Sequence, residues 1–178
     1  GDMLRGDMGN SFAYGRPAKD MLLEALPNTL ILALAAEIFA FLLAIPAGII
    51  SAIKRNTAWD YSFSTISFIG VSLPTFWFGL MLVLVFSLKL GWFPTAGMRS
   101  NYDEFILTDR IKHLILPTLV LGMGHMASIM RYMRASMLEV INQDYVRTAR
   151  SKGLTERLVI FKHALRNALI PIITLLGF

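Results

Sequence analysis

Hydrophobic residues occur along this chain in long runs that short polar stretches separate. The runs lie at about 28–53, 62–90, 113–132 and 164–178. Because a helix needs about 20 residues to cross a hydrocarbon core roughly 30 Å thick, the first three runs are predicted to span a membrane. The fourth is expected to be an incomplete span. The pattern predicts an all-α, polytopic transmembrane bundle, with Pro27 opening the first helix and Pro74 breaking the second.

Composition supports a membrane protein and excludes several other classes. Hydrophobic residues make up 55% of the chain and the mean hydropathy is +0.57, too high for an ordinary soluble domain. The lack of cysteine excludes disulfides and thiolate metal sites, and neither a metal nor a cofactor is expected. No phosphate-binding loop of the form G-x-x-x-x-G-K-S/T occurs, so ATP hydrolysis by this chain is not expected.

The charged residues predict an orientation in the membrane. Lys and Arg outnumber Asp and Glu by 8 to 3 in residues 131–166 and by 2 to 1 in residues 54–60. The positive-inside rule places both stretches in the cytoplasm, and the polar segment 1–27 outside. Positive charge beside spans also explains the net charge of +5 without a nucleic-acid partner. Aromatic residues typical of membrane interfaces agree with this topology: Trp59, Tyr61, Trp92, Phe93 and Tyr102.

Two features inside the runs concern packing and chemistry. Small residues recur every four positions in the first run, which favours close approach of another helix: Ala36, Ala40, Ala44, Gly48 and Ala52. Glu37 and His125 are ionisable residues within spans, where charge is costly unless it is paired or hydrated. Each is a possible lining residue of a polar pathway. The alternative, which we favour, is a hydrogen bond between helices.

The basic segment at about 136–163 is predicted to fold as two helices joined by a tight corner. Helical residues from about Ala135 to Arg150 lead to Gly153, which suits the left-handed conformation that ends a helix. Thr155 can cap the next helix, and Glu156 lies in its first turn, where the helix dipole favours an acid. Apolar residues at three- and four-residue spacing predict one apolar face: Leu154, Leu158, Phe161 and Leu165.

The stretch DYVRTARSKGLTERLVIFKHALRNALIP, residues 144–171, resembles the EAA motif of bacterial ABC importer permeases. That motif reads E-A-A, three residues, Gly, nine residues, then I-x-L-P. With Gly153 aligned, Ala149 takes the second alanine position. Arg147, His163 and Arg166 depart from the motif, as is typical of the peptide/nickel branch. Residues 6–11, 73–77 and 90–94 extend the resemblance over almost the whole chain.

This resemblance implies a permease subunit of an ATP-driven importer in the inner membrane. Its partners would be a second permease subunit, two cytoplasmic ATPases and an external substrate-binding protein. Permeases of this kind have about six spans, of which this chain would lack the first and everything after the start of the fifth. The residues implied to couple to the ATPase are Arg147, Ala149, Arg150, Lys152, Gly153, Leu154, Thr155, Glu156 and Arg157.

Two other functions remain open. A gradient-driven transporter or channel would use Glu37 as a proton or ion site and would be insensitive to damage at Gly153. A non-transporting membrane scaffold would use the basic segment to recruit a soluble protein. Among importer substrates, peptides, nickel chelates and glutathione all remain possible.

Overall fold

The computed structural model describes residues 8–100 and 106–175, and every regular element within them is a helix. In chain order these are α1 (Ala18–Ile53), α2 (Ala58–Ser72), α3 (Thr75–Leu82) with a π-helical continuation (Val83–Lys89), α4 (Leu107–Ile141), α5 (Asp144–Ser151), α6 (Glu156–Leu158) with a π-helical continuation (Val159–Ala164), α7 (Leu165–Ala168) and α8 (Ile170–Leu175). The predicted interface residue Tyr102, residues 1–7 and the end of the fourth run, 176–178, lie outside the described residues.

Helix α1 begins at Ala18, well before the predicted start of the first helix. Pro27 therefore lies inside the helix, and the prediction that it opens the helix is wrong. The residues before it, AKDMLLEAL, are mostly strong helix formers, and Asp20 in the first turn suits the helix dipole. Their preference extends the helix past a proline that removes one backbone hydrogen bond.

The second apolar run is bent rather than straight. The axis of α2 and that of α3 with its π-helical continuation differ by 101° at the break before Pro74. Leu73 is extended there (φ −77°, ψ 129°), because the ring of a following proline disfavours helical backbone. Within the described residues, α1 and α4 are long and apolar enough to cross a membrane, and the bent pair adds a third span if it crosses as one unit.

Helix α4 is longer than the predicted span 113–132. Its 35 residues, Leu107–Ile141, extend about 52 Å at 1.5 Å per residue, well beyond the thickness of a hydrocarbon core. The predicted helix from Ala135 to Arg150 is wrong, because the chain breaks between α4 and α5. Gln143 is extended there (φ −71°, ψ 150°), and the Asn142 side chain donates to the Leu138 carbonyl at 2.8 Å. One rigid helix thus joins the apolar region to the basic segment.

The predicted ladder of small residues in α1 is confirmed as a packing surface. Its alanines are at most 4% exposed, and they face methionines of α4, namely Met126, Met130, Met133 and Met137. A Cβ atom on Gly48 would lie 2.7 Å from the Cβ of Met133 and 2.9 Å from the Met130 carbonyl oxygen. The two helices are therefore as close as this glycine permits.

Gly48→Ala should destabilise the protein by about 1–3 kcal/mol, the usual cost of overpacking a tight interface. Thermal unfolding in detergent measures the effect. Gly124→Ala is the matched control, because a Cβ there meets nothing within 4 Å. Equal melting temperatures for the two variants would contradict the close contact at Gly48.

Candidate functional site

The chain turns sharply after α5, at a segment that we call the corner, residues 144–164. Gly153 has a φ of +76°, the left-handed conformation that the sequence predicts. Its N–H donates to the Arg150 carbonyl at 2.9 Å, and the N–H of Leu154 donates to the Ala149 carbonyl at 3.4 Å. These two bonds satisfy carbonyl groups that the end of α5 would otherwise leave unpaired.

A small apolar core holds the two arms of the corner together. Val146 and Ala149 of α5 and Val159 of the second arm are buried, at 0%, 6% and 0% exposure. Val140 of α4 and Leu154 pack against them. Ala149 and Leu154, both predicted coupling residues, thus lie inside the corner, and the corner packs on the end of α4.

The apolar face of the second arm differs from the predicted one. Leu158 and Phe161 are 40% and 58% exposed. Leu154 and Leu165 of the predicted face do pack against buried residues. The buried side chains of the second arm are Val159, Ile160 and Ala164. The physical reason is the π-helical segment Val159–Ala164, whose wider turn shifts the side chains from the positions that α-helical spacing predicts.

Arg150 and Glu156 form a bidentate ion pair across the glycine turn. Arg150 Nη2 lies 2.8 Å from Glu156 Oε1, and Arg150 Nε lies 3.2 Å from Glu156 Oε2. Hydrogen bonds from Arg150 lower the pKa of Glu156, and the same bonds raise the pKa of Arg150. Two residues predicted to contact a partner therefore contact each other and brace the corner.

Thr155 precedes α6 but does not cap it with its side chain. The residue has extended backbone (φ −61°, ψ 143°), and no hydrogen bond runs from its hydroxyl to the helix. Its carbonyl accepts from the Val159 N–H at 3.0 Å. The predicted side-chain cap is wrong, and the acidic group that suits the positive end of the helix dipole is Glu156 in the first turn.

The remaining predicted coupling residues form a cationic surface. Lys152 and Arg157 are exposed, and within the described chain neither makes an ion pair. Arg147 lies 3.7 Å from Asp144, but both side chains are largely exposed, so this pair contributes little. Beside them the exposed Leu158 and Phe161 form an apolar patch. The surface of the corner therefore suits a partner with an apolar groove and acidic neighbours.

The structure brings Glu37 and His125 together. Glu37 Oε2 lies 2.8 Å from His125 Nδ1, which links α1 to α4. The predicted hydrogen bond between helices is thus observed. The pair is not enclosed, since the His125 side chain is 64% exposed and that of Glu37 is 33% exposed. Both side chains lie on the outer surface of the described helices.

A buried ionic cluster escaped the sequence analysis, and we call it the junction: Ser51, Asn56, Asp60 and Arg134. Arg134 Nε and Nη2 each donate to a carboxylate oxygen of Asp60 at 2.8 Å. The Ser51 hydroxyl and the Asn56 N–H also donate to Asp60. In the sequence these charges contribute only to orientation. The available signal was a single acid, Asp60, just before the second apolar run, together with an arginine, Arg134, just after the third run.

Within the described residues, no group of three or more His, Cys, Asp or Glu side chains could hold a metal ion.

Residues 44–178 match the family model of the binding-protein-dependent transport system inner membrane component. The chain belongs to this family.

Several curated relatives align with nearly the whole chain. It is 49% identical to the oligopeptide transport system permease protein AppB of Bacillus subtilis, over 99% of this chain and 56% of the relative. It is 42% identical to the di/tripeptide transport system permease protein DppB of Pseudomonas aeruginosa, over 99% and 58%. It is 40% identical to the glutathione transport system permease protein GsiC of Escherichia coli O6:H1, over 98% and 54%. The chain thus spans little more than half the length of these relatives.

Glu156→Gln should loosen the corner, because Arg150 loses its charged partner. Hydrogen exchange of the amides at 151–156, corrected for intrinsic rates, should rise in the variant at neutral pH. Because its pKa is lowered, Glu156 stabilises the fold fully above the ordinary carboxyl pKa of about 4.3, and this contribution is lost as the pH falls through the lowered value.

Protection in the wild type should therefore decrease below about pH 4, whereas Glu156→Gln should show no such step. Arg147→Gln is the matched control, because it removes an arginine from the same helix without touching the brace. Equal protection in all three proteins at neutral pH would show that the pair does not stabilise the corner.

Proposed function

We propose that this chain forms part of a multi-pass permease subunit of an ATP-driven importer for peptides or related small solutes. The observation that carries the proposal is the corner: a braced, internally packed turn with an exposed cationic and apolar surface. Membership of the family and the names of the relatives support it, since these name oligopeptides, di/tripeptides and glutathione.

The corner is suited to transmit force because its contacts continue into α4. Val146 and Val159 pack against Val140, which lies in the last turn of that helix. The Ser136 hydroxyl donates to the Ala168 carbonyl at 2.9 Å, which ties α4 to α7. A displacement of the corner would therefore tilt α4 and alternate access to the pathway, a two-state rearrangement of packed helices.

The partner at the corner would be a cytoplasmic ATPase. Arg147, Lys152 and Arg157 would meet acidic groups around a groove that receives Leu158 and Phe161. Arg150, Ala149, Gly153 and Glu156 would contribute indirectly, by keeping the corner in shape. A second permease subunit, a second ATPase copy and an external substrate-binding protein would complete the importer, and ATP would be hydrolysed by the ATPases.

Glu37 and His125 would line the pathway in addition to forming the hydrogen bond between α1 and α4. Ionisable side chains in spans almost always face the bundle interior or a hydrated cavity. Their partial exposure on the described helices leaves one side of the pair open for such a neighbour. We assign the pair to the pathway, where the carboxylate and imidazole would supply polar contacts to a solute.

Gly153→Val should abolish most ATP-driven uptake by the complete importer, because a β-branched residue disfavours a φ of +76°. Gly153→Asn is the matched control and should retain uptake, since asparagine adopts left-handed backbone far more readily. A Cβ at this position meets no atom within 4 Å, so backbone conformation alone separates the two variants. Uptake that survives in Gly153→Val but not in Glu37→Gln would instead favour gradient-driven transport.

Cross-linking tests the docking surface and the topology together. Because the chain has no cysteine, Arg157→Cys introduces a single reactive site beside the apolar patch of the corner. We expect it to cross-link to the ATPase in membranes that contain the complete permease. Thr95→Cys, on the predicted external side, should not. A corner cysteine that is labelled from the cytoplasm but cross-links to no ATPase would support the scaffold or the gradient-driven transporter.

A further inference from the structure

The junction ties three parts of the chain to one carboxylate. Asp60 lies in the first turn of α2, Ser51 near the end of α1, and Asn56 in the connection between them. Arg134 reaches Asp60 from α4, in the half of that helix that leads to the corner. The Asp60 side chain is only 4% exposed, whereas that of Arg134 is 29% exposed. A charge this deeply buried is tolerated because Ser51, Asn56 and Arg134 all donate hydrogen bonds to it.

The connection between α1 and α2 is shaped around this carboxylate. Asn56 has a φ of +62°, a left-handed conformation that is uncommon for a residue with a side chain. In that conformation its N–H donates to Asp60 Oδ2 at 3.0 Å. Arg134 Nε also lies 3.1 Å from the Ser51 hydroxyl, so the guanidinium contacts both ends of the connection. The backbone and the ion pair therefore specify one arrangement of α1, α2 and α4.

The two contacts of α4 with its neighbours differ in kind. Against α1 it is held along a continuous apolar surface, which the small residues keep close. Against α2 it has fewer buried apolar contacts. The polar contacts are the junction and the Ser67 hydroxyl, which lies 3.0 Å from Met130 Sδ and 3.4 Å from the Ala127 carbonyl oxygen. Helix α2 then ends at the 101° bend before Pro74. Among the described residues, the junction holds the only ion pair between α4 and the bent pair.

We propose that Asp60 and Arg134 are positioning residues that fix the start of α2 to α4, so that a tilt of α4 moves the bent pair α2–α3. Neither residue contacts the transported solute in this proposal. The inference rests on the proposed function, because it describes how movement at the corner spreads through the permease. The junction would transfer that movement from α4 to α2.

The test compares single and paired neutral substitutions in the complete importer, reconstituted in liposomes. Asp60→Asn and Arg134→Gln each leave a buried group without its charged partner, which should reduce thermal stability. The double variant removes both charges and should recover much of that stability. If the junction only stabilises the fold, uptake per ATP should recover as well. If it positions α2, uptake per ATP in the double variant should stay about three- to tenfold below wild type.

Arg131→Gln is the matched control, because it removes an arginine one turn earlier on the same helix. Arg131 is exposed and has no hydrogen bond or ion pair among the described residues. We expect its uptake per ATP to equal that of the wild type. If the double variant fails to assemble, uptake per ATP is measured in Arg134→Lys instead, since this variant keeps the charge but loses the bidentate contact. Wild-type uptake per ATP in the double variant, or in Arg134→Lys where the double variant does not assemble, would overturn the proposal.

Spin labels provide a readout that stability alone does not change. The exposed residues Tyr61 on α2 and Tyr132 on α4 can be replaced by cysteine in a chain that has none. In the wild type, the distance between the labels should stay constant when ATP binds, whereas in the double variant it should change. A constant distance in both proteins would overturn the proposal.

Failure of this inference differs from failure of the proposed function. If the wild-type complex shows no ATP-driven uptake, the proposed function is wrong. If Gly153→Val lowers uptake per ATP and the junction variants do not, only the positioning role of Asp60 and Arg134 is wrong.

Discussion

The close approach of α1 and α4 is the constraint on which the rest of the structure depends. Small residues on α1 let the methionines of α4 come within van der Waals contact, and Gly48 leaves no room for a side chain. In a membrane, where lipid tails compete for apolar surface, such tight packing is a main source of helix association. Because the two helices are fixed along their length, Glu37 reaches His125, Ser51 reaches Arg134, and the corner has a rigid base.

The corner and the junction both contact the second half of α4, but different kinds of interaction hold them. The corner depends on a glycine with positive φ, a three-residue apolar core and an exposed ion pair. The junction depends on a buried carboxylate surrounded by donors. An exposed pair is easily remodelled when a partner docks, whereas a buried one is costly to break. The corner and the junction are therefore built from different kinds of salt bridge.

Periodicity and composition were enough to predict the helical class, the ladder on α1, the break at Pro74 and the left-handed Gly153. Each of these depends on residues close in sequence or on one face of a helix. The exposure of Leu158 and Phe161 was not predicted, because the π-helical turn changes the spacing on which the predicted apolar face rests. The junction was missed for another reason: Asp60 and Arg134 are separated by 74 positions, and nothing local marks them as partners.

The separation of Glu37 and His125 has a consequence for how the protein is made. They are 88 residues apart, so α1 leaves the ribosome long before the helix that carries its polar partner. Until α4 is inserted, the Glu37 side chain lacks this partner and needs another polar neighbour or contact with water. Arrival of His125 removes that need. The pair thereby links the final docking of α1 to the synthesis of α4, which sets an order of assembly for the two helices during biogenesis.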